Sequence, residues 1–415
     1  MKKSITRAVI LLATCLTLML FTVACSGDNK TTEAEPTATS TPSATPTATL
    51  TPTPTEIPAT PTPTPNPLDS MTLKEKYKDN FMIGVAMPVN VIMNSKFQDD
   101  VVANFNSLTF ENETKPSALL RREESAKGLP ETYTEPVVNL SGIARCMAFA
   151  KENNIKVRFH TLIWHSQTPE WFFTEDYTAN GTRVSREVML KRMESYIRQV
   201  MTMVEEQFPG QVYCYDVVNE AIDPSHGDST GMRKNSPWYE VIGPDFMNYA
   251  FEYARKYAPE GVDLYYNDYN CYSKTNQIIN ILSPILEAGN IDGIGMQSHI
   301  STSDNVERQI KGTAEKFTAA GFKVQLTELD IGVAKSDKAD EIQAVKYAVL
   351  FKKMQQAQET GTVNIDCITV WGLYDSISWR KDESPLLYRF NGSKLVKKRA
   401  WYGAMQDPEI KAIEF

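Results

Sequence analysis

Two carboxylates stand at the ends of apolar, strand-like runs. The segment YDVVNEAID (215–223) leads into Asn219 and Glu220, and the segment VQLTELDI (324–331) holds Glu328 in a similar position. A pair of carboxyl groups on two strand ends can share the roles of proton donor and nucleophile, as the hydrolysis of a glycosidic bond requires. We therefore predict that Glu220 and Glu328 belong to one catalytic site.

Polar and aromatic side chains also stand at the ends of other strand-like runs. Amides and imidazoles can bind sugar hydroxyls, and indoles can stack on the apolar faces of sugar rings. The sequence contains no HExxH motif, which argues against a metallohydrolase of that type. The candidate substrate-binding residues are Glu111, Asn112, Lys115, His165, Asn219, Tyr269, Gln297, His299, Trp371 and Trp379.

The elements that must position these groups alternate regularly between strand and helix. Helical patterns of 13 to 21 residues separate most of the strand-like runs. Eight such alternations predict an α/β fold, a (β/α)₈ TIM barrel, in which catalytic groups lie at the carboxyl ends of the strands. A doubly wound open sheet is the alternative, but no GxGxxG loop follows an early strand. The predicted strands are 81–87, 107–110, 156–164, 213–220, 263–268, 293–298, 324–331 and 365–373.

Composition limits the partners of this 415-residue chain. The formal net charge of −8 argues against nucleic acid and favours a neutral or weakly charged substrate.

Cysteines at 146, 214, 271 and 367 are far apart and form no CxxC motif, so we expect free buried thiols, with one disulfide as the alternative. We expect no cofactor and no metal, and we expect a monomer.

The N-terminal region reads as a targeting segment followed by a spacer. Residues 1–24 combine a positive start with a short apolar stretch, which predicts a signal peptide. Ala24 precedes Cys25 in a pattern that resembles a bacterial lipobox, although Thr22 stands where leucine is usual, so plain secretory cleavage stays open. Residues 25–69 are rich in Thr and Pro and predict a disordered linker. Residues 70–415 are the predicted catalytic domain.

Six segments resemble the signature segments of glycoside hydrolase family 10, in the same order. They are TFENETKPS, FHTLIWHSQTPEWF, YDVVNEAID, GIGMQSHI, VQLTELDI and WGLYDSISWR. Most members of that family are retaining endo-β-1,4-xylanases. The resemblance implies a TIM barrel that hydrolyses xylan and xylo-oligosaccharides, with Glu220 as the acid/base and Glu328 as the nucleophile.

The resemblance also implies roles for most of the other candidates. Asn219 would hold the sugar 2-hydroxyl, while Gln297 and His299 would orient the nucleophile. His165 would bind the sugar at subsite −1. The set Glu111, Asn112 and Lys115 would form subsite −2, and Trp371 and Trp379 would wall the glycone side.

The sequence leaves two other functions as alternatives. A β-1,4-glucanase would share the fold and differ in the room available near Trp379 for an exocyclic CH₂OH. A glycan-binding lipoprotein would be expected to lack a catalytic carboxylate, whereas both are present. We expect an extracellular protein, held at the cell envelope by a lipid on Cys25 or otherwise secreted.

Overall fold

The computed structural model describes residues 66–128 and 133–410 and contains a closed barrel of eight parallel strands. Neighbouring strands pair in chain order, and the last strand pairs with both the first and the seventh, which closes the ring. The predicted (β/α)₈ barrel is therefore confirmed. The strands are β1 (Met82–Met87), β2 (Ser107–Phe110), β3 (Lys156–Trp164), β4 (Val212–Asn219), β5 (Asp263–Asp268), β6 (Gly293–Met296), β7 (Lys323–Gly332) and β8 (Ile365–Val370).

A helix follows each strand, and each of the first seven helices returns the chain to the start of the next strand. These helices are α1 (Ser95–Asn104), α2 (Ala144–Glu152), α3 (Arg186–Gln207), α4 (Phe246–Tyr257), α5 (Thr275–Glu287), α6 (Gly312–Ala319), α7 (Ala339–Glu359) and α8 (Arg399–Ala404). A π-helical turn, Glu307–Lys311, leads into α6.

Shorter elements decorate the barrel. Single-turn and short helices are Leu73–Lys76, Val89–Ile92, Pro116–Leu119, Arg122–Ser125 and Pro237–Ile242. The 3₁₀ helices are Pro67–Ser70, Glu170–Phe173, Glu175–Tyr177, Cys271–Ser273, Asp375–Ile377 and Lys381–Glu383. Leu120–Arg121 pairs with Val137–Val138, Tyr388–Phe390 pairs with Leu395–Lys397, and His299–Ser301 pairs with β7.

The longest helix, α3, shows how the sequence specifies the outer layer. The side chain of Ser185 accepts a hydrogen bond from the backbone N–H of Val188 and caps the first turn. Met189, Met193 and Val200 recur at helical spacing and are fully buried. The helix therefore presents one apolar stripe to the barrel and leaves its polar face in solvent.

The interior of the barrel carries a buried ionic layer beneath the carboxyl end. The guanidinium of Arg158 on β3 pairs with the carboxylate of Asp216 on β4, and both side chains are fully buried. Nδ1 of His160 lies 2.7 Å from Oδ2 of the same aspartate. The layer supports the site above it because it fixes the orientation of an imidazole at the floor of the cleft.

A glycine makes room for one amide of the site. A Cβ atom at Gly295 on β6 would lie 2.5 Å from Oδ1 of Asn267 on β5. Only the absence of a side chain at residue 295 lets the Asn267 amide occupy the barrel interior.

Residues just before the predicted domain boundary at residue 70 contact the C-terminal segment. The side chain of Asn66 donates a 2.6 Å hydrogen bond to Asp407, and the hydroxyl of Tyr402 donates a 2.7 Å bond to Asp69. Residues 66–69, assigned above to the linker, are thus held against the C-terminal segment. The predicted signal peptide, Cys25 and the linker up to residue 65 lie outside the described residues.

The four cysteines of the barrel domain are buried and free, as predicted: Cys146, Cys214, Cys271 and Cys367. In the two described stretches of chain, no helix has the length and apolar character needed to cross a bilayer.

Candidate active site

A cleft of about 600 Å³ opens where the carboxyl ends of the barrel strands meet. Ten of the twelve predicted site residues line it, and every strand except β1 contributes a lining residue, from within the strand or from the loop that follows. The lining residues are Glu111, Lys115, His160, Trp164, Gln167, Asn219, Glu220, Tyr269, Asn270, Gln297, His299, Glu328, Trp371, Trp379 and Arg380.

Glu328 projects from β7 and is almost completely buried, with 5 % of its surface exposed. Its Oε1 accepts a 2.8 Å hydrogen bond from Nδ2 of Asn267, and its Oε2 lies 3.1 Å from Nε2 of His299. Burial by itself would raise the pKa of Glu328. The hydrogen bond from His299 and the positive charges of His160, His299 and Arg158 outweigh burial and lower the pKa to about 2. Glu328 is therefore an ionised carboxylate.

His299 lies between two carboxylates. Its Nδ1 is 2.9 Å from Oδ2 of Asp330, opposite the contact with Glu328. Burial would lower the pKa of His299, but the hydrogen bonds to Asp330 and Glu328 raise it to about 9. Both ring nitrogens then carry protons and donate. Asp330 also accepts hydrogen bonds from Trp379 and Arg380. These contacts hold Asp330 in place, and Asp330 in turn holds His299 against Glu328.

Glu220 follows the last residue of β4 and has a different environment. Its Oε2 accepts a 3.0 Å hydrogen bond from Nε1 of Trp164, and its Oε1 accepts a 2.8 Å bond from Nε2 of Gln297. The residue has a φ of +55°, in the left-handed region. Its backbone N–H donates to the carbonyl of Asn267 at 2.9 Å. This geometry turns the carboxyl group of Glu220 into the cleft.

A shared group of amides connects the two glutamates. Nδ2 of Asn267 donates to both Asn219 and Glu328, each at 2.8 Å. Gln297 contacts Glu220 and also lies 3.5 Å from Asn219. Glu220 and Glu328 therefore line one cleft and are connected through Asn219, Asn267 and Gln297.

One side of the cleft is formed by the loop after β2. Lys115 is buried, its Nζ lies 5.0 Å from the ring centre of Trp164, and burial lowers its pKa. Burial raises the pKa of Glu111 beside it. Asn112 is exposed and does not line the cleft, but its Oδ1 accepts a 3.0 Å hydrogen bond from Lys115. Asn112 therefore orients a lining residue rather than forming part of the wall.

The predicted position of His165 in the cleft needs correction. His165 lies beyond the end of β3, packs edge-on against Trp164, and has its pKa lowered to about 4 by burial and by the nearby Arg233. His160 lines the cleft instead. Side chains alternate along a strand, so residues 158 and 160 share one face of β3, and both contact Asp216 inside the barrel. The pairing of β3 with β4 shifts register between His160 and Ile163, so this alternation does not extend to residue 165. The spacing of Arg158 and His160 within the strand is the signal that would have selected His160.

Several lining or supporting residues received no role from the sequence. Trp164, Gln167, Asn270 and Arg380 line the cleft, while Asn267 contacts Glu328 and Asp330 contacts His299. All of them end or follow predicted strands, so the sequence indicates that they lie at the carboxyl end of the barrel. Their individual contacts depend on backbone geometry, which the sequence pattern does not show.

Two indoles close the remaining side of the cleft. Trp371 is nearly buried and stands edge-on to His160, with ring centres 5.6 Å apart. Trp379 has 62 % of its surface exposed, and its ring centre lies 4.9 Å from that of His299. An exposed indole at the rim of a polar cleft provides an apolar face on which a pyranose ring can stack. Within the described residues, no group of three or more His, Cys, Asp or Glu side chains could hold a metal ion.

A barrel with two carboxyl groups in an aromatic-walled cleft at the carboxyl ends of its strands has the architecture of a glycoside hydrolase. The sequence matches the family model described as Glycosyl hydrolase family 10 over residues 72–407. The chain belongs to this family.

Individual relatives agree with the family assignment. The chain is 38% identical over 349 residues to Endo-1,4-beta-xylanase A of Thermotoga maritima, covering 81% of this chain and 31% of the relative. It is 38% identical over 323 residues to the Bifunctional endo-1,4-beta-xylanase XylA of Ruminococcus flavefaciens, covering 77% and 32%. The chain thus spans about a third of the length of these two relatives.

A solved structure shares the fold. It contains the CBM22-1 and GH10 modules of the N-terminal endo-1,4-beta-D-xylanase 10B of Clostridium thermocellum, complexed with xylohexaose. The TM-score is 0.75 at 35% sequence identity, and the match covers 81% of this chain and 67% of that chain.

Proposed function

We propose that this protein hydrolyses internal β-1,4-xylosidic linkages of xylan by a retaining double displacement. One observation carries the proposal: two carboxyl groups of one cleft have opposite surroundings. Glu328 is buried, ionised and held by Asn267 and His299. Glu220 faces the cleft beside two neutral donors, Trp164 and Gln297. The first group suits a nucleophile and the second suits an acid/base.

The reaction follows from these positions. The carboxylate of Glu328 attacks the anomeric carbon while the bond to the leaving oxygen breaks, and Glu220 gives its proton to that oxygen. A glycosyl ester on Glu328 results. Glu220, now ionised, takes a proton from water, and the water oxygen attacks the anomeric carbon as the ester bond breaks. Two inversions at one carbon leave the product with the configuration of the substrate.

The substrate class rests on the relatives and on the shape of the cleft. The relatives described above are endo-1,4-beta-xylanases, and one structure holds xylohexaose. The amides around Asn219 can bind hydroxyl groups, and the exposed face of Trp379 can stack on a sugar ring. A neutral polysaccharide also suits a chain of net charge −8.

The deciding experiment compares three polysaccharides with one enzyme preparation. Reducing sugars are measured on unsubstituted xylan, on a soluble cellulose derivative and on mixed-linkage glucan, and the anomer of the first product is followed by proton NMR. The proposal expects fast release from xylan with the β anomer appearing first. Release only from the glucans would establish a glucanase, and no release from any would establish a binding protein.

For the cellular location we propose attachment to the outer face of a membrane through a lipid on Cys25. The apolar stretch before Ala24, the cysteine after it and the Thr/Pro tract that follows support this placement.

A further inference from the structure

Arg233 lies behind Glu220 and contacts three separate groups. It belongs to the segment between β4 and the helix Pro237–Ile242, and its side chain is 9 % exposed. Nε donates to the backbone carbonyl of Glu220 at 3.0 Å, and Nη2 donates to the hydroxyl of Tyr269 at 2.9 Å. Nη1 lies 3.2 Å from Oδ2 of Asp223. Each guanidinium nitrogen therefore has its own partner.

The backbone of Glu220 requires such support. A side-chain-bearing residue in the left-handed region is uncommon and persists where neighbouring groups determine the conformation. The N–H of Glu220 is bound by the carbonyl of Asn267, and Arg233 binds the C=O. The two contacts fix both peptide planes that flank the acid/base, and the second contact comes from a charged side chain.

The loop itself is built to hold Arg233 in place. The backbone N–H of Arg233 donates to the carbonyl of Ala221 at 2.8 Å, and the N–H of Asp223 donates to the carbonyl of Gly231 at 2.8 Å. The chain thus returns on itself directly after Glu220. The charge pair with Asp223 neutralises the buried guanidinium, since an unpaired buried charge would be costly.

We propose that Arg233 is the positioning residue of the acid/base. By binding the backbone carbonyl of Glu220, it fixes the position and direction of the Glu220 carboxyl group in the cleft. Arg233 also connects Glu220 to Tyr269, which lines the cleft, so that the two groups keep one relative position. The inference rests on the proposed function, because it assumes that Glu220 transfers the proton.

Displacement of Glu220 has a chemical signature that a general loss of stability lacks. Protonation of the leaving oxygen matters for a sugar leaving group and hardly matters for an acidic phenol such as 2,4-dinitrophenol. Attack by Glu328 does not involve Glu220. A misplaced acid/base therefore slows formation of the glycosyl ester from oligosaccharides, leaves its formation from the aryl glycoside intact, and slows its hydrolysis in both cases.

The test uses Arg233→Met, which removes all three contacts, and Arg233→Lys, which can keep one. Arg192 supplies a matched control. It is buried on α3 and donates to the backbone carbonyls of Tyr133, Phe172 and Thr174, away from Glu220. Arg192→Met thus deletes a comparable set of contacts from a buried arginine to loop carbonyls. Each variant is assayed on xylohexaose and on 2,4-dinitrophenyl β-xylobioside, with and without azide, below its melting temperature.

For Arg233→Met we expect kcat/KM on xylohexaose to fall by about tenfold or more, with kcat/KM on the aryl xylobioside within about twofold of wild type. Azide should raise kcat of this variant on the aryl substrate. The kcat/KM of Arg233→Lys on xylohexaose should lie between the values for wild type and Arg233→Met. Equal losses on both substrates, or the same selectivity in Arg192→Met, would overturn the inference. Should Arg233→Met fail to fold, the same comparison in Arg233→Lys decides. Wild-type turnover of xylohexaose tests the proposed function separately.

Discussion

His299 holds Glu328 through Nε2 at 3.1 Å, and the other ring nitrogen is held by Asp330. The contact explains how a buried carboxylate stays ionised, since burial alone opposes its charge. The charge of Glu328 is balanced by the imidazolium of His299. In the proposed mechanism the carboxylate then attacks the anomeric carbon from its side toward the cleft.

Removal of that imidazolium should move the acid limb of activity. Glu328 must be ionised to attack, and with its pKa at about 2 the wild-type enzyme loses the nucleophile only as pH falls toward that value. In His299→Gln the donor charge is gone, so the pKa of Glu328 rises toward its ordinary range and the acid limb of kcat/KM moves to higher pH. His226→Gln is the control, because His226 is 77 % exposed. An unchanged acid limb in His299→Gln would contradict the assignment.

The same contacts predict how stability depends on pH. The pKa of His299 is raised from 6.5 to about 9, so the protonated form is favoured in the folded state. This contribution is fully present below pH 6.5 and is lost as pH rises through about 9. Melting temperature should fall over that range in the wild-type protein, and the fall should be smaller in His299→Gln. Equal slopes for the two proteins would show that the imidazole is not charged in the folded state.

Glu328→Gln should abolish hydrolysis and preserve the fold. The amide cannot form the glycosyl ester, so we expect a loss in kcat on the order of 10⁴-fold or more. Its oxygen can still accept from Asn267, and its NH₂ group can donate to a neutral His299, so both neighbours keep a partner. Reducing-sugar release and the melting curve are measured on the same sample. Turnover near the wild-type rate would refute the role of Glu328.

Glu220→Ala should affect substrates unevenly. Hydrolysis of xylan should fall by about 10²- to 10⁴-fold, while the glycosyl ester still forms from an aryl xylobioside with an acidic phenol. Its hydrolysis becomes slow, and azide should accelerate turnover and yield a β-glycosyl azide. The control is Glu170→Ala, since the side chain of Glu170 is 66 % exposed and pairs with Arg183. A uniform loss without azide rescue would remove Glu220 from the mechanism.

The regular part of the barrel follows from sequence because apolar alternation determines it. Three strands, Ser107–Phe110, Lys156–Trp164 and Asp263–Asp268, have the predicted bounds. Their hydrophobic runs are bounded by polar residues, so both ends are visible in the pattern.

The catalytic ends of other strands depart from the prediction for a physical reason. The fourth strand stops at Asn219 because Glu220 takes a left-handed conformation. The sixth stops at Met296, and Ser298 has a φ of +64° before the chain resumes pairing at His299. Such turns redirect side chains into the cleft. Residue types suggest which side chains are reactive, but left-handed backbone at a residue with a side chain has no simple sequence signal.

The segment 66–70 should contribute stability and leave catalysis unchanged. A chain beginning at Thr64 retains the bonds of Asn66 to Asp407 and of Tyr402 to Asp69, and a chain beginning at Met71 loses them. Both groups are partly exposed, so we expect a loss of about 1 kcal/mol in the free energy of unfolding. Denaturant titration and kcat on soluble xylan are measured for both chains. A large drop in kcat would show that these residues support the cleft.

The location of the enzyme can be tested at Cys25. If the cysteine carries a diacylglyceryl group, two acyl chains hold the protein firmly at a membrane, whereas a single chain of myristoyl length would bind only marginally. The full chain made in its native host should then sediment with membranes, and Cys25→Ala should abolish the lipid and change that distribution. Cys146→Ala is the control, because Cys146 is buried in the barrel domain. Mass spectrometry of the mature N-terminal peptide decides: an unmodified N-terminus on protein recovered from the medium would establish a freely secreted enzyme.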